Sequence, residues 1–201
     1  MTSQEMLADR RRNMEEDYFR RQELESIARL RERAAREAER RKMGEQLDLS
    51  DDEMLLALQQ LGYTSETSAL LFLAPLVQVA WAEGRVSSSE RELILEAAAT
   101  QGIGPGSEAY LKLLEWLSER PSEELMEGSL RLIGRMLHQM SPDERESRKY
   151  ELLLFATQVA EASGGVMGFV GLGNRICREE EAMLERIVTA IDESPPVTVQ
   201  G

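Results

Sequence analysis

The side chains that most often carry catalysis are scarce in this 201-residue chain. It holds one cysteine, Cys177, and one histidine, His138. A single cysteine excludes an internal disulfide and a cysteine-based zinc cluster, and a single histidine argues against a histidine-activated nucleophile or a histidine-rich metal site. The glycines of 164–173 follow no strand and lack the lysine of a phosphate-binding loop. Carboxylates remain, and without histidine they suit hard cations such as Ca²⁺, Mg²⁺ or Mn²⁺. We therefore expect no enzyme.

The charge is divided unevenly along the chain. Residues 1–46 carry 12 Lys and Arg against 11 Asp and Glu, whereas the remainder carries 12 against 26. Such an acidic body repels nucleic acid and anionic membranes, so we expect no nucleic-acid partner and no peripheral membrane contact, and we expect cations or a basic protein partner. The first residues lack a signal-peptide pattern, and the longest apolar stretch, 69–82, is too short to span a bilayer. A cytoplasmic protein is expected.

The N-terminal segment predicts one long, charged helix. Residues 3–43 contain no glycine or proline, and acidic residues precede basic ones by four positions at several points, as at Glu25–Arg29 and Glu32–Arg36. Its apolar residues are sparse, which leaves two interpretations. The helix is either a solvated extension, or a docking arm with Tyr18 and Phe19 as anchors for a partner or a second copy of the chain. The stretch DRRRNMEEDYFRRQELESIARLRERA is similar in composition to small bacterial helical inhibitors of the rotary ATPase.

The rest of the chain predicts short helices separated by clear stop signals. Helices are expected at about 50–62, 65–83, 87–102, 106–119, 122–140, 141–163 and 177–193, with serine caps at several starts and glycine or proline at several ends. No segment alternates with a period of two, so the fold class is all-α. The domains are a helical extension (1–46), a helical body (47–193) and a disordered tail (194–201).

The body also contains an internal repeat. QVAWA at 78–82 matches QVAEA at 158–162, and RVSSSERELI at 85–94 matches RICREEEAML at 175–184. The offset between the copies grows from 80 to 90 because residues 165–174 are inserted in the second copy. The sequence thus predicts two pseudo-repeated helical hairpins in a compact bundle. The inserted glycine-rich loop, 164–174, either covers the core or forms a binding patch with Met167 and Phe169 as contacts.

The stretch QVAWAEGRVSSSERELI resembles the hairpin of the tellurite-resistance TerB-like family, and the resemblance covers about residues 65–193. It implies a compact all-α domain that serves stress-response or membrane-associated complexes rather than catalysis. It also implies that acidic turn residues bind a divalent metal. The positions that match are Glu83 and Glu90 in the first copy and Glu180 in the second, while Ser163 stands where another acid is usual. Glu90 and Glu180 also fit plain helix-capping roles.

Three functions follow from these observations. The first is a non-enzymatic interaction module of TerB-like type that docks through its N-terminal helix and the loop 164–174. The second is a divalent-cation sensor or buffer in a stress-response complex. The third is an inhibitor-type helix that acts on an ATPase.

Overall fold

Helices account for nearly all of the chain that the structure describes. This computed structural model describes the backbone of residues 3–163 and 176–193, and the side chains of 18–162 and 176–193. Within these ranges the chain forms eight α helices and one 3₁₀ helix and no strand. The predicted all-α class is confirmed.

The helices follow one another in chain order with short connections. Their bounds are α1 Ser3–Leu47, α2 Asp52–Gln60, the 3₁₀ helix Ser68–Leu73, α3 Ala74–Ala80, α4 Ser88–Thr100, α5 Glu108–Ser118, α6 Glu123–Gln139, α7 Pro142–Ser163 and α8 Arg178–Asp192. The predicted starts hold because short polar side chains satisfy free backbone N–H groups there. Asp51 accepts from Glu53 N and Met54 N at the start of α2, and Ser122 accepts from Leu125 N at the start of α6.

The apolar segment 65–83 was predicted to form one helix, and this prediction is wrong. It begins as the 3₁₀ helix and continues as α3, with Pro75 in the first turn of α3. Proline has no N–H to donate and its ring clashes with the preceding turn, so it is tolerated at the start of an α helix and not inside one. The proline thus sets where α3 begins.

The core is built around α3. Six of its seven residues are buried, and helices α6, α7 and α8 all pack against it. α7 contributes Ala156, Val159 and Ala160, and α8 contributes Ile187 and Ile191, all nearly inaccessible to solvent. A short helix needs this packing on every side, because its own backbone hydrogen bonds are too few to hold it.

Helix α1 has two parts with different surroundings. Every described side chain from 18 to 36 is exposed, and we call this segment the arm. The turns after it pack on α2 and on the 3₁₀ helix. There Met43 is fully buried, and Glu39 Oε1 accepts from Ser65 N at 2.6 Å. Two predicted ion pairs are present on the arm, Glu25–Arg29 at 3.7 Å and Glu32–Arg36 at 2.6 Å.

Two predicted features lie outside the described residues. One is the glycine-rich loop 164–174 with Met167 and Phe169, and the other is the tail 194–201. The pairing of the hairpins as a structural repeat stays a prediction. Among the described helices, none is long and apolar enough to cross a membrane.

Candidate cation site

Glu83 lies in the turn that leads from α3 to α4. The turn closes at Gly84, whose φ of 83° is a left-handed conformation that glycine adopts without strain. Its start is anchored by Trp81, whose indole N–H donates to the carbonyl of Trp116 at 2.8 Å. The side chain of Glu83 is exposed. The turn therefore holds the backbone of Glu83 in place and leaves its side chain open to solvent.

Glu90 closes the capping box at the start of α4. Its Oε2 accepts from Ser87 N at 2.7 Å, and its own N–H donates to Ser87 Oγ at 3.2 Å. Only 2% of the residue is exposed. The structural role that the sequence allowed for Glu90 is thus present.

Glu180 occupies the equivalent position in α8, where Cys177 takes the place of the serine. Glu180 Oε2 accepts from Cys177 N at 2.8 Å, and Glu180 N donates to Cys177 Sγ at 3.4 Å. Glu180 is completely buried. Its second oxygen, Oε1, is the one buried side-chain nitrogen or oxygen of the described residues that lacks a hydrogen-bond partner. A buried acceptor left without a partner costs about 1–3 kcal/mol, so this oxygen calls for a ligand.

These side chains converge on one small region. Glu83, Cys177 and Glu180 each bring a ligand atom to within 4.8 Å of the other two. Two of the three glutamates named from the sequence are therefore members of this cluster, and Glu90 is not. Their role as metal ligands stays a prediction. Cys177 was missed, although its alignment with the cap residue Ser87 in the internal repeat was a signal that it lies beside Glu180.

The cluster makes its neighbours harder to ionise. Burial raises the pKa of Glu90; hydrogen bonds from Ser87 oppose the rise, and the charges of Glu180 and Glu83 add to it. Burial also raises the pKa of Cys177 to about 12; the hydrogen bond from Glu180 N opposes the rise, and the neighbouring carboxylates of Glu83, Glu179 and Glu180 add to it. Glu90 and Glu180 are buried, so little water screens the repulsion between the acidic groups here, and a cation beside them would offset it.

A Glu90→Gln variant is expected to be more stable than the wild type at neutral pH. The amide oxygen can still accept from Ser87 N, so the capping box survives while the buried charge is removed. The folded pKa of Glu90 lies above its unfolded value of 4.5. The wild type therefore loses stability as pH rises from that value through the folded pKa, and the variant does not share this loss. Thermal unfolding should give a higher melting temperature for the variant than for the wild type at neutral pH, and this difference should become smaller in acid. A difference that does not change with pH would contradict the assignment.

The two aromatic residues named as anchors lie on the arm. Tyr18 is 59% exposed and Phe19 is 65% exposed. Their rings meet edge to face with centroids 6.0 Å apart, and Gln22 donates to the Tyr18 hydroxyl at 2.9 Å. They are available for contact, and they belong to a different surface from the acidic cluster.

The fold and this cluster define an all-α protein with a buried acidic centre beside two helix starts. Comparisons with protein-family models, with curated proteins and with solved structures returned no match for this chain. The TerB-like resemblance accordingly stays a prediction.

Proposed function

We propose that this chain is a non-enzymatic interaction module whose arm binds the arm of a second copy. The observation that carries the proposal is the exposed apolar row on the arm. Leu24 and Leu30 are 61% and 66% exposed, and Ile27 lies between them at three-residue spacing. Residues three and four apart share one face of a helix. A face of this kind, standing clear of the body, is suited to packing against another helix.

The charge distribution favours a second copy as the partner. The segment 1–46 is close to neutral, with 12 basic and 11 acidic residues interspersed, so it complements itself. The bodies carry the excess of acid and repel each other. An antiparallel pair of arms satisfies both conditions, because it places the two bodies at opposite ends of the pair.

The apolar row is large enough to support such a pair. Burying an exposed leucine or isoleucine contributes about 1.5–3 kcal/mol. The three residues of each arm are 61%, 39% and 66% exposed, so the six together supply roughly 5–10 kcal/mol, comparable to the roughly 4–15 kcal/mol that association costs.

Replacing Leu24, Ile27 and Leu30 together by glutamine should abolish self-association. Glutamine favours a helix nearly as well as leucine does, so the arm keeps its conformation and loses only its apolar face. Sedimentation equilibrium should give twice the chain mass for the wild type and the chain mass for the triple variant. The matched control is Leu111→Gln, because Leu111 on α5 is also 61% exposed and lies off the arm. A wild type that stays monomeric at every concentration, or a triple variant that still forms dimers, would show that the arm does not bind a second copy.

The acidic cluster supports a second function, the binding of a divalent cation. The specific observation is that the unpartnered Oε1 belongs to Glu180, whose carboxylate lies within 4.8 Å of ligand atoms of Glu83 and Cys177. A cation at this position would give the buried oxygen a partner and offset the repulsion between carboxylates. Because the cluster joins the turn before α4 to the start of α8, binding would tie the two halves of the body together. The module would then sense or buffer the cation.

A further inference from the structure

Cys177 differs from the other groups of the acidic cluster in the chemistry of its ligand atom. Its sulfur lies within 4.8 Å of carboxylate oxygens of Glu83 and Glu180. It is half-buried and is a free cysteine. It also sits at the N-terminus of α8 and accepts from Glu180 N, so its sulfur belongs to the same helix start as the buried carboxylate.

The buried oxygen of Glu180 is independent evidence that this position takes a ligand. The residue is completely buried, its Oε2 is used by the capping box, and its Oε1 has no partner. If the thiol lay only beside an exposed acid, water could satisfy both groups and no ligand would be needed. A thiol beside a buried, unpartnered carboxylate oxygen completes a mixed sulfur and oxygen donor set.

We propose that Cys177 supplies a thiolate ligand to the cation site, and that the site therefore prefers a cation of the Zn²⁺ class to Ca²⁺ or Mg²⁺. The inference rests on the cation-binding function proposed above and names its metal class. Thiolate ligands select Zn²⁺ and similar ions, whereas Ca²⁺ and Mg²⁺ require oxygen. Three protein ligands with a water in the fourth position make a familiar tetrahedral zinc arrangement.

The three ligand atoms need to move only slightly closer together to hold a zinc ion. Zn–S and Zn–O bonds of about 2.3 and 2.0 Å place tetrahedral sulfur and oxygen ligands roughly 3.5 Å apart. The cluster spans up to 4.8 Å, and the side chain of Glu83 is open to solvent. On binding, the Cys177 S–H bond breaks, the sulfur bonds to the metal and the proton leaves to solvent. No oxidation or reduction is involved.

The test compares the full-length wild type with Cys177→Ser in the presence of Zn²⁺, Co²⁺, Mg²⁺, Ca²⁺ or Mn²⁺. Serine is the residue that caps α4 at the corresponding position, so this variant keeps the cap and loses only the sulfur. Thermal unfolding and metal titration report affinity. A near-ultraviolet sulfur-to-cobalt charge-transfer band reports the bond itself. Because the chain has one cysteine, alkylation read by mass spectrometry reports on Cys177 alone.

In the wild type we expect tighter binding of Zn²⁺ than of Mg²⁺ or Ca²⁺, a cobalt charge-transfer band, and protection of the thiol from alkylation by Zn²⁺ but not by Mg²⁺. In Cys177→Ser, Zn²⁺ affinity should fall at least about tenfold, since even loss of a residue that only orients a metal ligand costs 10–100-fold, while Mg²⁺ and Ca²⁺ affinity should not change. Binding of Mg²⁺, Ca²⁺ or Mn²⁺ without a zinc preference, or equal zinc affinity in the two proteins, would overturn the thiolate assignment and leave the cation function standing. A wild type that responds to none of the five ions would overturn both.

Discussion

A chain that starts at Leu47 is expected to lose several kcal/mol of unfolding free energy, whereas a chain that starts at Ala34 should unfold like the full protein. Among the side chains that the structure describes, the truncation to Ala34 removes only 18–33, all of them exposed residues of the arm. The longer one removes Met43, which is fully buried, and the carboxylate of Glu39 that holds Ser65 N. Loss of a buried methionine side chain costs about 2–5 kcal/mol, and a hydrogen bond to a charged group contributes about 1.5–3 kcal/mol. Together they approach the roughly 5–15 kcal/mol that stabilises a typical domain.

Chemical denaturation of the two truncated chains measures this difference directly. Met43→Ala in the full-length protein is the companion variant, because it removes the buried side chain without shortening the helix. It should account for a large share of the loss. If the chain from Leu47 unfolds at the same denaturant concentration as the full protein, the last turns of α1 are not part of the body's core, and the boundary expected from the sequence at 46/47 stands.

The end of α1 is a place where the sequence pattern does not predict how the chain packs. Gly44 is a typical helix terminator, yet α1 continues to Leu47, and Leu49 N donates to the carbonyl of Gly44 at 2.9 Å. The single apolar residue Met43 gave no periodic signal among the charged residues around it. Helix α1 packs there on α2 and on the 3₁₀ helix, and no pattern among the neighbouring residues describes this packing.

The helix starts, by contrast, were predictable because they depend on local chemistry. A serine followed by an acid three positions on predicted the starts of α2 and α4. The structure has this capping box at Ser87 and Glu90 for α4, whereas α2 is capped by Asp51, one residue after the predicted Ser50. The 3₁₀ conformation over Ser68–Leu73 was not predictable from the same rules, since the segment is apolar after Ser68 and most of it is buried.

Some residues of the candidate site could be named from the sequence, and others could not. Glu83 and Glu180 were named because a family resemblance and an internal repeat pointed to them, and they do lie together. Glu90 was named on the same grounds, but its carboxylate is held by Ser87 N. Cys177 was not named as a ligand, because a single cysteine was taken to exclude a cysteine-based zinc cluster. Only the three-dimensional arrangement shows that a cap position also faces two carboxylates.

Replacing Glu180 by glutamine is expected to change stability in opposite directions with and without a divalent cation. In the absence of cation the variant should be more stable than the wild type, because it removes a buried charge whose Oε1 has no partner and whose field acts on Glu90. Glutamine can still accept from Cys177 N through its amide oxygen, so the cap of α8 is kept. With cation the order should reverse. A ligand at 100 times its dissociation constant stabilises the folded state by about 2.7 kcal/mol, and the variant should lose most of that gain.

Glu181→Gln is the matched control, because Glu181 lies in the same first turn of α8 and is exposed. It removes the same charge from the same helix start, so any effect of the helix dipole or of net charge appears in both variants. Thermal unfolding of the three proteins, each with and without saturating cation, separates the site from these general effects. A Glu180→Gln protein that responds to cation as fully as the control would show that the ion binds elsewhere. A wild type without any response would show instead that no cation binds at Oε1. The buried carboxyl would then serve only to cap α8, and the acidic cluster would be a feature of stability rather than of binding.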